Sequence, residues 1–208
     1  MLILRDRETG SIWTHLDGEA TDGPLAGANM EIIPIVHTTW EEWQVLHPDT
    51  LVLSDDTEFQ DRYRQVTLGM PNGRFGQELL TVDDRLASEA LVLGVLVDGV
   101  HVAYPLSELD QSSGVINDEV AGVPIVIFYD IETASGIAFS REVNGEEAQF
   151  EFVAAGSFQA RDSVSDTLWD FSGRSVGDDA SLEFVSSYLS EWYGWSAYHP
   201  ETSIYALP

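Results

Sequence analysis

The chain has 208 residues, 44% of them hydrophobic and 11% aromatic, which is enough for a packed core and too apolar for a disordered protein. Its 36 Asp and Glu stand against 9 basic residues, all of them Arg, for a net charge of −27. This balance disfavours nucleic acid and anionic membrane surfaces as partners, because no basic patch exists to displace counterions. With no Cys, disulfides, thiolate nucleophiles, iron–sulfur clusters and Cys-ligated zinc are excluded too. No apolar run reaches the roughly 18–20 residues of a membrane span. The acid excess without Lys reads as adaptation to high salt, where counterions screen self-repulsion. Two locations fit: the cytoplasm of a halophile, or an extracytoplasmic compartment with the export signal absent from this chain.

The N-terminal stretch Asp6–Trp13 leads to Gly23-Pro24-Leu25-Ala26-Gly27, a turn-rich segment. Trp40-Glu-Glu-Trp43 then opens a short helix, since Trp40, Trp43 and His47 fall on one helical face. Thr38 or Thr39 is its expected cap, and Pro48 ends it by forcing His47 out of the helical region. Residues 54–90 lack periodicity and are expected to be a connector packing on its neighbours. Three hairpins follow: Leu91–Val97 and Val100–Tyr104 about Asp98-Gly99, Gly114–Asn117 and Pro124–Tyr129 about Ala121-Gly122, and Ile137–Val143 and Ala148–Val153 about Asn144-Gly145. A second short helix spans Trp192 to His199, with Ser190 as its expected cap. The expected fold is mainly β (β-rich α+β), built of antiparallel hairpins with one short helix per unit.

The two helices belong to an internal repeat. The pattern W-x-x-W-x-x-x-H-P-[DE]-T runs from Trp40 to Thr50 and again from Trp192 to Thr202, at an offset of 152 residues. Upstream, Asp6–Trp13 answers Asp162–Trp169, and Gly18-Glu19-Ala20 answers Gly173-Arg174-Ser175. The second copy has strand-like sequence from Leu91 to Gln159 ahead of it, and the first has almost none. The expected organisation is therefore residues 1–53 as the back half of a unit, 54–90 as the connector and 91–208 as a complete unit. Asp6, Arg7, Arg161 and Asp162, being charged, are expected in solvent, pairing or opening turns.

These residues resemble the family called domain of unknown function 3179. Its tandem units carry motifs that stand here as Asp6–Trp13, Gly18–Gly27, Thr38–Thr50, Leu93–Leu106, Val115–Asp118 and Gly122–Val126. The resemblance implies no activity. Where the family has Y-C-P-L-C, this chain reads Tyr129-Asp130-Ile131-Glu132-Thr133, so a metal or redox role resting on those thiols is absent from this unit.

The candidate catalytic residues are Asp130, Glu132 and His199. Asp130 and Glu132 share a strand face and are also the candidate metal pair, suited to Ca²⁺ or Mg²⁺, although no cofactor is expected. Against this stands a solvated acidic loop. The candidate ligand-binding residues are Asn117, Asp118, His47, Trp43 and Trp195. An Asx turn between strands explains Asn117 and Asp118 without function, and ring packing on Trp explains His47 and His199. No H-x-H or H-x-x-x-H spacing supports zinc, and no G-x-S-x-G, P-loop or dinucleotide fingerprint appears. Two functions follow: a non-catalytic binding or assembly module, completed by a second subunit or a homo-oligomer, or a divalent-metal-dependent hydrolase or lyase using carboxylates.

Overall fold

A computed structural model of the chain describes residues 3–54, 56, 83–110, 113–154 and 158–206. It is mainly β and antiparallel, with two seven-residue helices, α1 (Trp40–Leu46) and α2 (Trp192–Tyr198). Most of the 54–90 connector lies outside the described residues.

The first two hairpins form as their turn chemistry dictates. Strands β4 (Leu91–Val97) and β5 (Val100–Pro105) pair from Val97↔Val100 to Val92↔Pro105. Asp98 and Gly99 between them have φ of 48° and 79°, as a type I′ turn requires. Ala121 and Gly122 (φ 53° and 80°) do the same for β6 (Val115–Val120) and β7 (Val123–Asp130). The third hairpin departs from expectation. Asn144-Gly145 joins only the two-residue strands β9 (Glu142–Val143) and β10 (Glu146–Glu147). The strand before them, β8 (Ser135–Ser140), pairs instead with β7 and with β14 (Phe184–Val185). Phe139 and Ile137 find their apolar partners there, and burial overrides the local turn signal.

Two four-stranded sheets make the centre, in the orders β14-β8-β7-β6 and β15-β4-β5-β16, where β15 is Ser187–Glu191 and β16 is Ser203–Ile204. Alternation along β7 sends Ile125, Ile127 and Tyr129 to one face and Val126 and Phe128 to the other. The first set packs against Leu93, Val95 and Tyr104 of the second sheet. The other set packs against Phe150 of β11 (Phe150–Ala154), Ala160 of β12 (Gln159–Asp162) and Trp169 of β13 (Leu168–Trp169), which form a three-stranded sheet. The outer face of β4 and β5 is covered by α2, with Trp192 and Trp195 on Val92 and Ala103. These strands are buried on both faces, which is why they read as unbroken apolar runs. Residues 3–53 contribute a small sheet, β1 (Ile3–Arg5), β2 (Ile12–Thr14) and β3 (Ala20–Asp22), followed by a turn and an irregular segment leading to α1.

Candidate functional site

Thr39 caps α1, its hydroxyl accepting from Glu42 N at 3.2 Å, with Glu41 and Glu42 in the first turn where the helix dipole favours them. His47 closes the helix by donating its N–H to Trp43 O at 2.8 Å. The His47 ring lies on Trp43 with centroids 4.1 Å apart, and Trp43 Nε1 donates to Thr50 Oγ1 at 2.9 Å. α2 repeats these contacts: His199 N donates to Trp195 O at 2.9 Å, the rings lie 4.3 Å apart, and Trp195 Nε1 donates to Thr202 Oγ1 at 3.0 Å. Ser190 does not cap α2. Glu191 is the cap residue, without a side-chain bond, and the Ser190 hydroxyl donates to Glu191 O instead. The helix is held by its docking: Trp192 N donates to Ala90 O and Trp192 Nε1 to Asp83 O.

A cleft of about 1000 Å³ separates α1 from the turn between β7 and β8. On one wall stand Trp43, His47 and Glu42; on the other are Asp130, Glu132 and Thr133. Asp130 Oδ1 accepts from Glu132 N at 2.8 Å and Thr133 N at 3.3 Å, so Asp130 shapes the turn as an Asx residue. The hydroxyls of Thr133 and Ser135 are bonded at 2.8 Å. Phe152, Phe158 and Phe171 form an aromatic floor, with Phe158 edge-on to Phe171 at 5.0 Å. Glu42, Asp130, Glu132 and Asp170 face it, with Arg174 the one guanidinium among the described residues of the lining. Such a lining suits an apolar body carrying hydrogen-bond donors and opposes anions. Trp43, His47, Asp130 and Glu132, four residues singled out from the sequence, thus meet across this cleft. Among the described residues, no group of three or more His, Asp or Glu is placed to hold a metal ion.

The other candidates lie elsewhere. Asn117 and Asp118 are not in a turn between strands, as the sequence suggests, but inside β6. Asn117 Nδ2 donates to Phe150 O and Oδ1 accepts from Phe150 N, both at 2.8 Å, which joins two sheets as a backbone pair would. Asp118 Oδ2 accepts from the buried Tyr104 hydroxyl at 2.7 Å. Burial pushes the Tyr104 phenol up, and the neighbouring carboxylate pushes it further. Both residues are occupied by the fold.

Trp195, on the buried face of α2, and His199, at its C-terminal end, lie away from the cleft lining. His199 Nε2 faces Tyr188 Oη at 3.1 Å and Asp17 Oδ1 at 3.3 Å, and its ring stacks on His101 at 4.0 Å. Burial raises the Asp17 carboxyl, but its contacts with His199 and Tyr188 outweigh that and leave it below its ordinary value. Burial and the adjacent His199 hold His101 below its ordinary 6.5, with Asp17 opposing them. Between 6.5 and that lower value the unfolded chain binds more protons than the fold, so stability rises with pH there. Acidification from pH 7 through 6 is therefore expected to lower the urea midpoint, and His101→Gln to flatten that slope.

Asp162 corrects the expectation of a solvated charge. It is 1% exposed, and its carboxylate accepts from Val164 N, Ser165 N, Ser165 Oγ, Thr167 N and Trp169 Nε1 at 2.6–3.2 Å. Asp6 does the same for Thr9, Gly10, Ser11 and Trp13 Nε1. The bond from Trp13 leads the causes that hold its carboxyl well below the usual range. Arg161 stays exposed beside Asp166 at 3.4 Å. The D-to-W spacing, shared by both copies, was the available signal for these knots. Phe152, Phe158, Phe171 and Arg174 carried no signal, because their roles in the cleft depend on sheet packing.

The layered antiparallel fold and its aromatic, acidic cleft define a mainly β protein with a candidate ligand-binding cleft. Residues 1–202 match the model of the family described as "Protein of unknown function (DUF3179)", and the chain belongs to that family. No curated protein and no solved structure matches it. Among the described residues, no helix is long and apolar enough to cross a membrane.

Proposed function

We propose that this protein is a non-catalytic binding module built from a tandem repeat, working in high salt, whose binding surface is the cleft between α1 and the β7–β8 turn. The observation that carries it is the aromatic face of α1. Trp192 and Trp195 are 0% exposed in α2, while Trp40 and Trp43 in α1 are 52% and 36% exposed. Natural proteins rarely leave such a face uncovered unless it receives something. The matching Trp–Thr and His–Trp contacts of the two helices support the repeat, and with it a division into residues 1–53 and 91–208 joined by 54–90. The net charge of −27, with Arg as the only strong cation, supports high salt as the working medium.

The competing reading is a divalent-metal-dependent hydrolase or lyase, for which Asp130 and Glu132 facing the cleft are the specific support. Native mass spectrometry from high salt, before and after Ca²⁺ or Mg²⁺ is added, separates the two. A binding module is expected to keep the mass of the bare chain at micromolar metal. One stoichiometric ion that is lost when Asp130→Asn and Glu132→Gln are combined would overturn the proposal in favour of the enzyme.

A further inference from the structure

The occupant of the α1 face has a template within the same molecule. α2 and the residues after it rest on a cradle formed by residues 83–106. Trp195 lies flat over Gly94, where any Cβ would overlap its ring. His199 stacks on His101, and Thr202 Oγ1 donates to His101 O at 3.1 Å. Ser203 and Ile204 then add to β5 as a parallel strand opposite Val102 and Ala103, and Tyr205 N donates to Ala103 O at 2.8 Å. Arg85 caps the assembly, its guanidinium 5.2 Å from the Trp192 ring and bonded to Thr202 O at 2.7 Å.

α1 has the docking half of this arrangement without a cradle among the described residues. Trp43, His47 and Thr50 already hold the geometry of Trp195, His199 and Thr202, down to the Thr N–H bond to the His carbonyl at 3.0 Å in both copies. Leu51, Val52 and Leu53 correspond to Ser203, Ile204 and Tyr205, and they are 94%, 70% and 94% exposed, pairing with no strand among the described residues. A rigid aromatic face next to an extended apolar tripeptide is the docking half of a strand-addition joint.

Building on the binding-module reading, we propose that α1 and Leu51–Leu53 dock a β-hairpin of a second, different polypeptide. The hairpin presents a glycine beneath Trp43, and its second strand pairs in parallel with Leu51–Leu53. The α2 cradle points to a different polypeptide rather than a second copy, because among the described residues the one hairpin of this kind is already occupied by α2.

The probe is a synthetic peptide with the sequence of residues 83–106, which contains no Trp, added to the full chain in high salt. Amide hydrogen exchange is followed by mass spectrometry. Exchange over residues 40–53 is expected to slow by about tenfold or more on saturation, as it does when exposed amides enter a ladder. A peptide carrying Gly94→Leu is expected to bind at least about tenfold more weakly, because the added side chain strikes the Trp43 ring. The chain variant Trp43→Ala, whose exposed ring supports no core, is expected to show no slowing.

Unchanged exchange over 40–53 at the highest soluble peptide concentration overturns the proposal, as does equal protection by the Gly94→Leu peptide. Protection of 40–53 that rises with chain concentration in the absence of peptide overturns it in favour of a second copy. Failure here with a metal-free chain leaves the binding module standing with a different ligand, whereas a stoichiometric metal ion removes the module itself.

Discussion

Replacing Trp195 by alanine is expected to destabilise the protein by about 3–5 kcal/mol, while the same change at Trp43 costs about 1 kcal/mol or less. Trp195 is fully buried between Gly94, His101, Tyr188 and His199, and its indole N–H donates to Thr202. Truncation leaves a large void, because the flanking sheet cannot collapse onto the lost ring. It also orphans the buried Thr202 hydroxyl on one side. Trp43 makes the same indole bond, to Thr50, and the same ring contact, to His47, but it is open to the cleft. Water replaces what is removed there. Urea unfolding in high salt, followed by far-UV circular dichroism, measures both variants. Equal losses would mean that the α1 face is covered in solution.

Asp162→Ala is expected to cost about 3 kcal/mol, since deletion takes the acceptor from five donors, of which the buried Trp169 Nε1 loses most and the half-buried backbone N–H groups less. Asp162→Asn is expected to recover part of that loss, because its amide oxygen still accepts while its NH₂ opposes a donor. Burial raises the Asp162 carboxyl, but the bonds from Ser165, Trp169 and Val164 more than reverse this and hold it below 3.8. Its folded-state value is depressed, so its contribution is complete above 3.8 and is lost as the pH falls from there through the folded value. Acid unfolding of the wild type should show this low-pH component, and Asp162→Ala should lack it. The equivalent change at Asp6, which is itself only half buried and whose bonds from Thr9 lie in solvent, is expected to have the smaller effect.

The contrast between these pairs shows where the sequence was legible. The tight turns at Asp98-Gly99 and Ala121-Gly122 were readable because a positive φ at both positions is a local demand. So was α1, capped by Thr39 and stopped at Pro48. The Asn144-Gly145 turn was equally readable, yet the strands it was expected to join went to other partners, since Ile137 and Phe139 gain more by packing on the β7 sheet. At the candidate site, Trp43, His47, Asp130 and Glu132 were each nameable one by one. Their meeting across a cleft was not, because the segments lie more than eighty residues apart and nothing local links them.

What the sequence by itself determined is the set of interactions that close within about seven residues. These are the Trp-to-Thr bonds following each helix, the Asp-to-Trp bonds preceding them, the hairpin turns and the acidic, cysteine-free surface. Tertiary structure alone decided which member of each matched pair is buried. Asp162 and Trp195 are closed off from water by long-range packing, whereas Asp6 is only half buried and Trp43 is exposed. Identical local motifs therefore carry different energies, because desolvation depends on what long-range packing places over them.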